Sequence, residues 1–325
     1  MSPTTLDAEP HRSARDALIA AILAFIGGGH LLPIDDIRAA LEREIDDAGA
    51  DALLALEAHL SADEGWTFYP RDPLAQRIHH LLADRFLERG STVTGLEHLP
   101  AAAAAPVTMF ANHLSYADAN VLEVLLHRAG MTALADRLTA IAGPKVFTSR
   151  ERRFSSLCFG TIKVPQSADV SSGEAQLNVR DVARAARQAI DVALSRLAAG
   201  DALLLFGEGT RSRSATMRPL LPGVARYLDV PGTRIVPVGL TGSESLFPVD
   251  AATVRPSRIR VTIGRPLSAA SIVAHAGGNR RVVMDAIGLA IAELLPPSYR
   301  GVYAGAAKAD ARRVLESCRR KDDDA

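Results

Sequence analysis

Two stretches of this sequence combine residue types whose spacing can do chemistry. The first is Asn112-His113-Leu114-Ser115-Tyr116-Ala117-Asp118. It follows the apolar run Val107 to Ala111, which reads as a strand, and it leads into a helical pattern. A histidine at a strand's end projects into the cleft where α/β sheets bind ligands. Asp118 falls at the N-terminus of the next helix, where a carboxylate can cap. If the loop folds back, that carboxylate accepts from one imidazole nitrogen. This fixes the tautomer and leaves the other nitrogen free to take a proton. The pair is then a general base for a nucleophile that the substrate supplies. By spacing alone, the pattern also describes a surface histidine beside a capping aspartate.

The second stretch is Phe206-Gly207-Glu208-Gly209-Thr210-Arg211-Ser212-Arg213-Ser214, after the apolar strand Ala202 to Phe206. Two glycines permit tight backbone, the hydroxyls can donate, and two guanidinium forks suit a cluster of anionic oxygens. The order of a Walker A loop is absent, and so is a dinucleotide fingerprint. A solvated turn with two exposed arginines is the plainer alternative. Other residues draw less chemistry. His59 precedes Asp63-Glu64 inside a helical region, His79-His80 sit on a predicted helix, and His127 ends one, where a cation suits the dipole. Cys158 lies between Leu157 and Phe159, the setting of an inert core thiol.

Composition narrows the classes. The 325 residues balance 37 basic against 37 acidic side chains, so no global charge favours nucleic acid, and any phosphate-binding charge must be local. A hydrophobic share of 48% excludes global disorder. Two cysteines exclude a disulfide framework and a thiolate-rich metal site, and no H-E-x-x-H appears, so no metal or organic cofactor is expected. The N-terminal apolar run, Ala17 to Ile26, is shorter than the ~20 residues a bilayer span needs. Acidic Asp7, Glu9 and Asp16 before it and Gly27 to Gly29 after it argue for a buried helix over a signal peptide. A cytoplasmic protein is expected, one that, if its substrate is a lipid, visits the inner membrane face peripherally rather than residing in the bilayer.

Residues 1–90 read as four helices: Arg15 to Ile26, one opened by Pro33 with Ile34, Ile37, Leu41 and Ile45, Ala52 to Leu60, and one opened by Asp72-Pro73 and stopped by Gly90. They suggest a small bundle with an aromatic loop, Trp66 to Pro70, between its last two helices. A linker is expected over 91–106. From 107 to 300 the texture alternates strand and helix. Strands fall at 107–111, 139–142, 161–164, 202–206, 234–240 and 258–263, with a long helix at 179–197 and a closing one at 280–295. This predicts an α/β layered domain, a central mixed sheet flanked by helices. A charged tail is expected over 301–325.

The order strand–NHxSxxD–helix, then strand–GEGTRSRS, resembles the glycerophospholipid acyltransferase superfamily. Its first block is matched at Asn112, His113, Ser115 and Asp118. Its third, FPEGTRS, is matched at Phe206 and from Glu208 to Ser212, with Gly207 in place of the proline, and its fourth at Ile235-Val236-Pro237-Val238. The resemblance spans about residues 107 to 267. The second block fits two registers, Gly143 to Arg150 or Gly160 to Gln166. In the latter, Gln166 stands where the usual arginine would be, and Lys163, Arg150, Arg152 or Arg153 are candidate substitutes. The resemblance implies acyl transfer from acyl-CoA or acyl carrier protein to a hydroxyl of glycerol-3-phosphate or 1-acylglycerol-3-phosphate. His113 would be the general base and Asp118 would orient it. Glu208, Gly209, Thr210, Arg211, Arg213, Lys163 and Ser115 would bind substrate. A helical region ahead of the catalytic domain is similar to soluble plastid-type glycerol-3-phosphate acyltransferases, whereas EGTRSR looks more like the lysophosphatidate branch. Competing readings are a thioester hydrolase and a non-catalytic lipid- or phosphate-binding protein.

Overall fold

The computed structural model of the protein describes residues 5–26, 33–62, 65–99, 105–165, 179–249, 254–306 and 308–323. Gly27 to Gly29, Asp63-Glu64 and Gln166 lie outside the described residues. The elements in chain order are α1 (Thr5–Ile26), α2 (Ile34–Ala48), α3 (Ala50–Ser61), β1 (Phe68–Tyr69), α4 (Pro73–Phe86), β2 (Thr92–Thr94) and β3 (Val107–Ala111). Next come α5 (Asp118–Arg128), α6 (Thr132–Ala135), β4 (Leu138–Ala142), α7 (Arg150–Ser156), β5 (Gly160–Lys163), α8 (Val179–Ala198) and β6 (Ala202–Phe206). The rest are β7 (Arg234–Thr241), α9 (Ser243–Leu246), β8 (Arg260–Ile263), β9 (Leu267–Ser268), α10 (Ala269–His275), α11 (Arg280–Glu293) and α12 (Ala309–Asp323).

Among the described residues the strands form one mixed sheet in the order β1-β5-β4-β6-β3-β7-β8-β2, with β9 also on β7. The five strands from β5 to β7 are parallel, β1 pairs antiparallel with β5, β8 and β9 pair antiparallel with β7, and β2 runs parallel to β8. A central parallel strand is covered on both faces, so β6 reads as an unbroken apolar run and β3 as one interrupted only by the buried Thr108. Alternation still divides their side chains. Val107, Met109 and Ala111 enter one core layer with α1 to α5, while Phe110 enters the other with α8, α11 and α12. The α8 helix meets that second layer through Ala185, Ala189, Ala193 and Leu197, four residues apart on one face.

Pro237 sits inside β7, where a proline would cost a ladder hydrogen bond. Its carbonyl accepts from Gly264 N, so its missing N–H falls on the same side. There the partner chain has left β8 at Ile263 and not yet begun β9 at Leu267. The one bond the proline forgoes therefore lies at the end of the β7–β8 ladder, which is where a strand tolerates it.

Several expected boundaries shift. The aromatic loop expected at Trp66 to Pro70 contributes β1, whose Phe68 pairs with Ile162. Within 91–106, β2 joins the far edge of the sheet through Thr92↔Arg260. The helices of residues 1–90 share a core with the sheet, since Leu18, Ile37, Leu53 and Ile78 pack in the same layer as Met109 and Val236. After residue 300, α12 buries Val314, Leu315 and Cys318 rather than trailing as a tail. The helix opened by Asp72 starts as read, with the Asp72 carboxylate accepting from Ala75 N at 2.9 Å.

Candidate active site

The site lies at the C-terminal ends of β3 and β6, neighbouring parallel strands in register at Ala111↔Phe206. The loop after β3 is held from both flanks. The Asn112 side chain clamps β7, donating to Leu240 O at 2.9 Å and accepting from Leu240 N at 2.8 Å. On the β6 side, His113 O accepts from Ser212 N at 2.8 Å. The first stretch is thereby tied to the second by backbone.

His113 Nδ1 lies 2.9 Å from Asp118 Oδ2, and the Asp118 carboxyl is fully buried. The same oxygen accepts from Leu114 N at 2.7 Å and Ser115 N at 3.0 Å, and Oδ1 accepts from Ser243 Oγ at 2.6 Å. Asp118 therefore turns back onto its own loop instead of capping the helix it begins. With every partner a donor, the carboxylate puts the proton of a neutral His113 on Nδ1. Nε2 carries no hydrogen bond among the described residues, and the side chain keeps 16% exposure. Phe206 stacks on the imidazole, centroids 4.2 Å apart and planes 21° apart. A histidine so held can accept a proton at Nε2.

Glu208 serves the site from behind. Its Oε1 accepts from His113 N at 2.9 Å and its Oε2 from Arg218 N at 2.8 Å, inside a residue only 4% exposed. Burial pushes its carboxyl up to about 7, opposed by the two backbone N–H donors and reinforced by nearby Asp118. Both oxygens are occupied by main chain, so in this arrangement Glu208 joins the two loops. Gly209 takes the left-handed conformation at φ +71, and an added Cβ would lie 2.6 Å from Leu221 Cδ1. Thr210 is half-buried and Arg213 exposed.

Arg211 lays its guanidinium 3.5 Å from the Tyr116 ring centroid, and its buried Nη1 has no hydrogen-bond partner. Burial pulls its pKa down, Tyr116 pulls it up, and the cation of Arg152 pushes it down again. Arg152, from α7, approaches the same ring at 5.1 Å. Two cations facing one tyrosine, one with an orphan donor, make an arrangement suited to an anion. Ser115 is buried and donates to Phe247 O at 3.2 Å. Lys163 sits at 5.3 Å from the Trp66 ring and 5.2 Å from Phe147. It ends β5, level with Ala142 and three strands from β3, about 14 Å away at ordinary strand spacing.

An apolar cavity of about 150 Å³ has Tyr116 and Ala117 in its wall. It runs between α1, α4 and α5, lined by Ile22, Phe25, Leu82, Phe86, Val121 and Phe247 among others. Cys158 also lines it, but burial pushes its thiol well above the ordinary range, which suits packing rather than nucleophilic attack. A second His–Asp pair, His59 Nδ1 to Asp72 at 2.8 Å, is explained by the cap that Asp72 forms for α4. His80 pairs with the buried carboxylate of Glu123 at 2.9 Å, joining α4 to α5.

Sequence reasoning missed Ser243, the stacking of Phe206 and the Arg152–Tyr116–Arg211 grouping. The register between β3 and β6 could have found Phe206, since it ends the strand beside the histidine loop. No local signal marks Ser243.

Residues 90–241 match the family described as Acyltransferase. The His113–Asp118 pair and the Glu208–Arg211 loop both fall inside the matched stretch. The crystal structure of the 1-acyl-sn-glycerophosphate (LPA) acyltransferase, PlsC, from Thermotoga maritima is similar at a TM-score of 0.46 and 17% identity, covering 86% of this chain and 93% of that one. Among curated proteins none matches.

Proposed function

We propose that this acyltransferase moves a fatty acyl group from an acyl thioester to a hydroxyl of glycerol-3-phosphate or 1-acylglycerol-3-phosphate. The observation that carries the reading is a convergence at one loop. His113 with its orienting Asp118, an apolar cavity lined by Tyr116, and an arginine with an orphan donor on the same tyrosine all meet there. Base, acyl-chain slot and anion site are the three parts this transfer needs.

His113 Nε2 takes the proton of the acceptor's hydroxyl as its oxygen attacks the thioester carbon. The C–O bond forms, the C–S bond breaks, and the thiolate leaves with the proton that the imidazolium returns. Asp118 stabilises that imidazolium. General-base help of this kind contributes ~10²–10⁴-fold. Arg211 holds the acceptor's phosphate, and Ser115 and Glu208 act through the loop they brace. The donor is acyl-CoA or acyl carrier protein, and a lipid acceptor would be met peripherally at the inner membrane face. Among the described residues no helix is long and apolar enough to cross a membrane.

Purified protein given palmitoyl-CoA, or palmitoyl acyl carrier protein, with each acceptor in parallel tests the reading. Transfer to one phosphorylated acceptor and none to glycerol supports it. Thiol release without an acylated product would replace it with hydrolysis.

A further inference from the structure

The two oxygens of Asp118 have different partners. Oδ2 faces its own loop and the imidazole, while Oδ1 receives one bond, the 2.6 Å O–H of Ser243, and both residues are fully buried. Ser243 opens α9, just past the stretch that matches the family. A carboxylate turns easily about its last torsion, because sp³–sp² torsions have broad wells. Three donors gathered on one oxygen leave the other as the natural point at which to fix that rotation. We propose that Ser243 is a positioning residue for the His113–Asp118 pair, holding the carboxylate in the rotation that presents Oδ2 to Nδ1.

The turn carrying Ser243 is itself fixed. Gly242 stands at φ +90, where a Cβ would lie 2.2 Å from the backbone oxygen of Arg258, so the turn depends on glycine there. Its N–H donates to Glu244 Oε2 at 3.0 Å, and Tyr299 Oη donates to Glu244 Oε1 at 2.5 Å. Four residues on, Phe247 O accepts from Ser115 Oγ at 3.2 Å, and Phe247 N donates back to Ser243 O at 3.3 Å. One turn therefore grips the histidine loop twice, once at Asp118 and once at Ser115. The Ser243 hydroxyl makes no other hydrogen bond among the described residues. In water a serine hydroxyl is easily solvated, so its burial against one carboxylate oxygen is a cost that this contact offsets.

The inference rests on His113 as the base, and its test is built to separate the two. The full chain, labelled with ¹⁵N-histidine, is examined by proton NMR. The His113 Nδ1–H resonance is assigned by its loss in His113→Ala. In Ser243→Ala that resonance shifts or broadens into exchange, kcat for acyl transfer falls roughly 10- to 100-fold, and the KM for the thioester stays within about twofold. Ser243→Cys, with a weaker donor of similar shape, falls between, and it carries the same readings if the alanine chain does not fold. An unmoved resonance in a folded variant overturns the proposal, as does a loss carried wholly by KM. If the wild-type chain transfers no acyl group, the functional reading falls, while the resonance still decides the role of Ser243.

Discussion

Replacing Glu208 with glutamine should change how stability depends on pH. An ordinary glutamate titrates near 4.5, and in the folded protein burial pushes this one up to about 7. Between those values the folded chain keeps a proton that the unfolded chain has released. Stability contributed by the protonated group is thus fully present below pH 4.5 and is lost as pH rises through 7. At 1.36 kcal/mol per pH unit, that displacement amounts to roughly 3 kcal/mol, the cost of burying the charge, with a smaller part from nearby Asp118. Glutamine keeps the size, keeps one acceptor oxygen for His113 N or Arg218 N, and does not titrate. Its own offset, positive or negative, does not vary with pH, and other titrating groups cancel between the two chains. Denaturant unfolding of both proteins at pH 4, 5, 6, 7 and 8 measures the difference directly. Glutamine minus wild type should rise by roughly 3 kcal/mol from pH 4 to pH 8, with most of the rise between 4.5 and 7. A difference that stays flat across that range would refute the reasoning, because Glu208 would then titrate alike in both states.

Other outcomes follow from the same contacts. Asp118→Asn should lower kcat at least about 100-fold in steady-state assays, because an amide cannot serve as acceptor to every donor around it and the imidazole loses its tautomer control. Phe206→Ala should cost about 1 kcal/mol of stacking on His113, read as a loss in kcat/KM with the fold intact by circular dichroism. Arg211→Ala should raise the acceptor KM about tenfold or more and leave the thioester KM alone, in a two-substrate kinetic series. Ala21→Trp should fill the cavity from α1 and shift preference to shorter acyl chains, measured by competition between octanoyl- and palmitoyl-CoA.

Most of the sheet could be read from the sequence because its central strands are locally unmistakable. The Ala202–Phe206 strand is apolar throughout and ends where the register with β3 requires. The His113–Asp118 pair was legible for a similar reason, since both residues belong to one loop between a strand and a helix. What escaped is non-local. Phe68-Tyr69 becomes a strand only because β5 offers an edge, a fact 94 residues away at Ile162. Ser243 meets Asp118 across 125 residues, after β7 has been laid beside β3. Glu208 looked like a substrate ligand because its family block contains it, but burial and two backbone donors decide what its oxygens touch. The N-terminal helices read as a unit of their own because amphipathic periodicity shows that a face is buried without showing against what.

The central claim is that His113 takes the acceptor's proton. It is tested most directly by comparing wild type with His113→Ala for acyl transfer from palmitoyl-CoA and, on the same preparations, for thioester binding by calorimetry. The account predicts transfer reduced by ~10²–10⁴-fold with the dissociation constant unchanged. Transfer that survives the substitution would contradict it, because the acceptor's proton would then be leaving by another route.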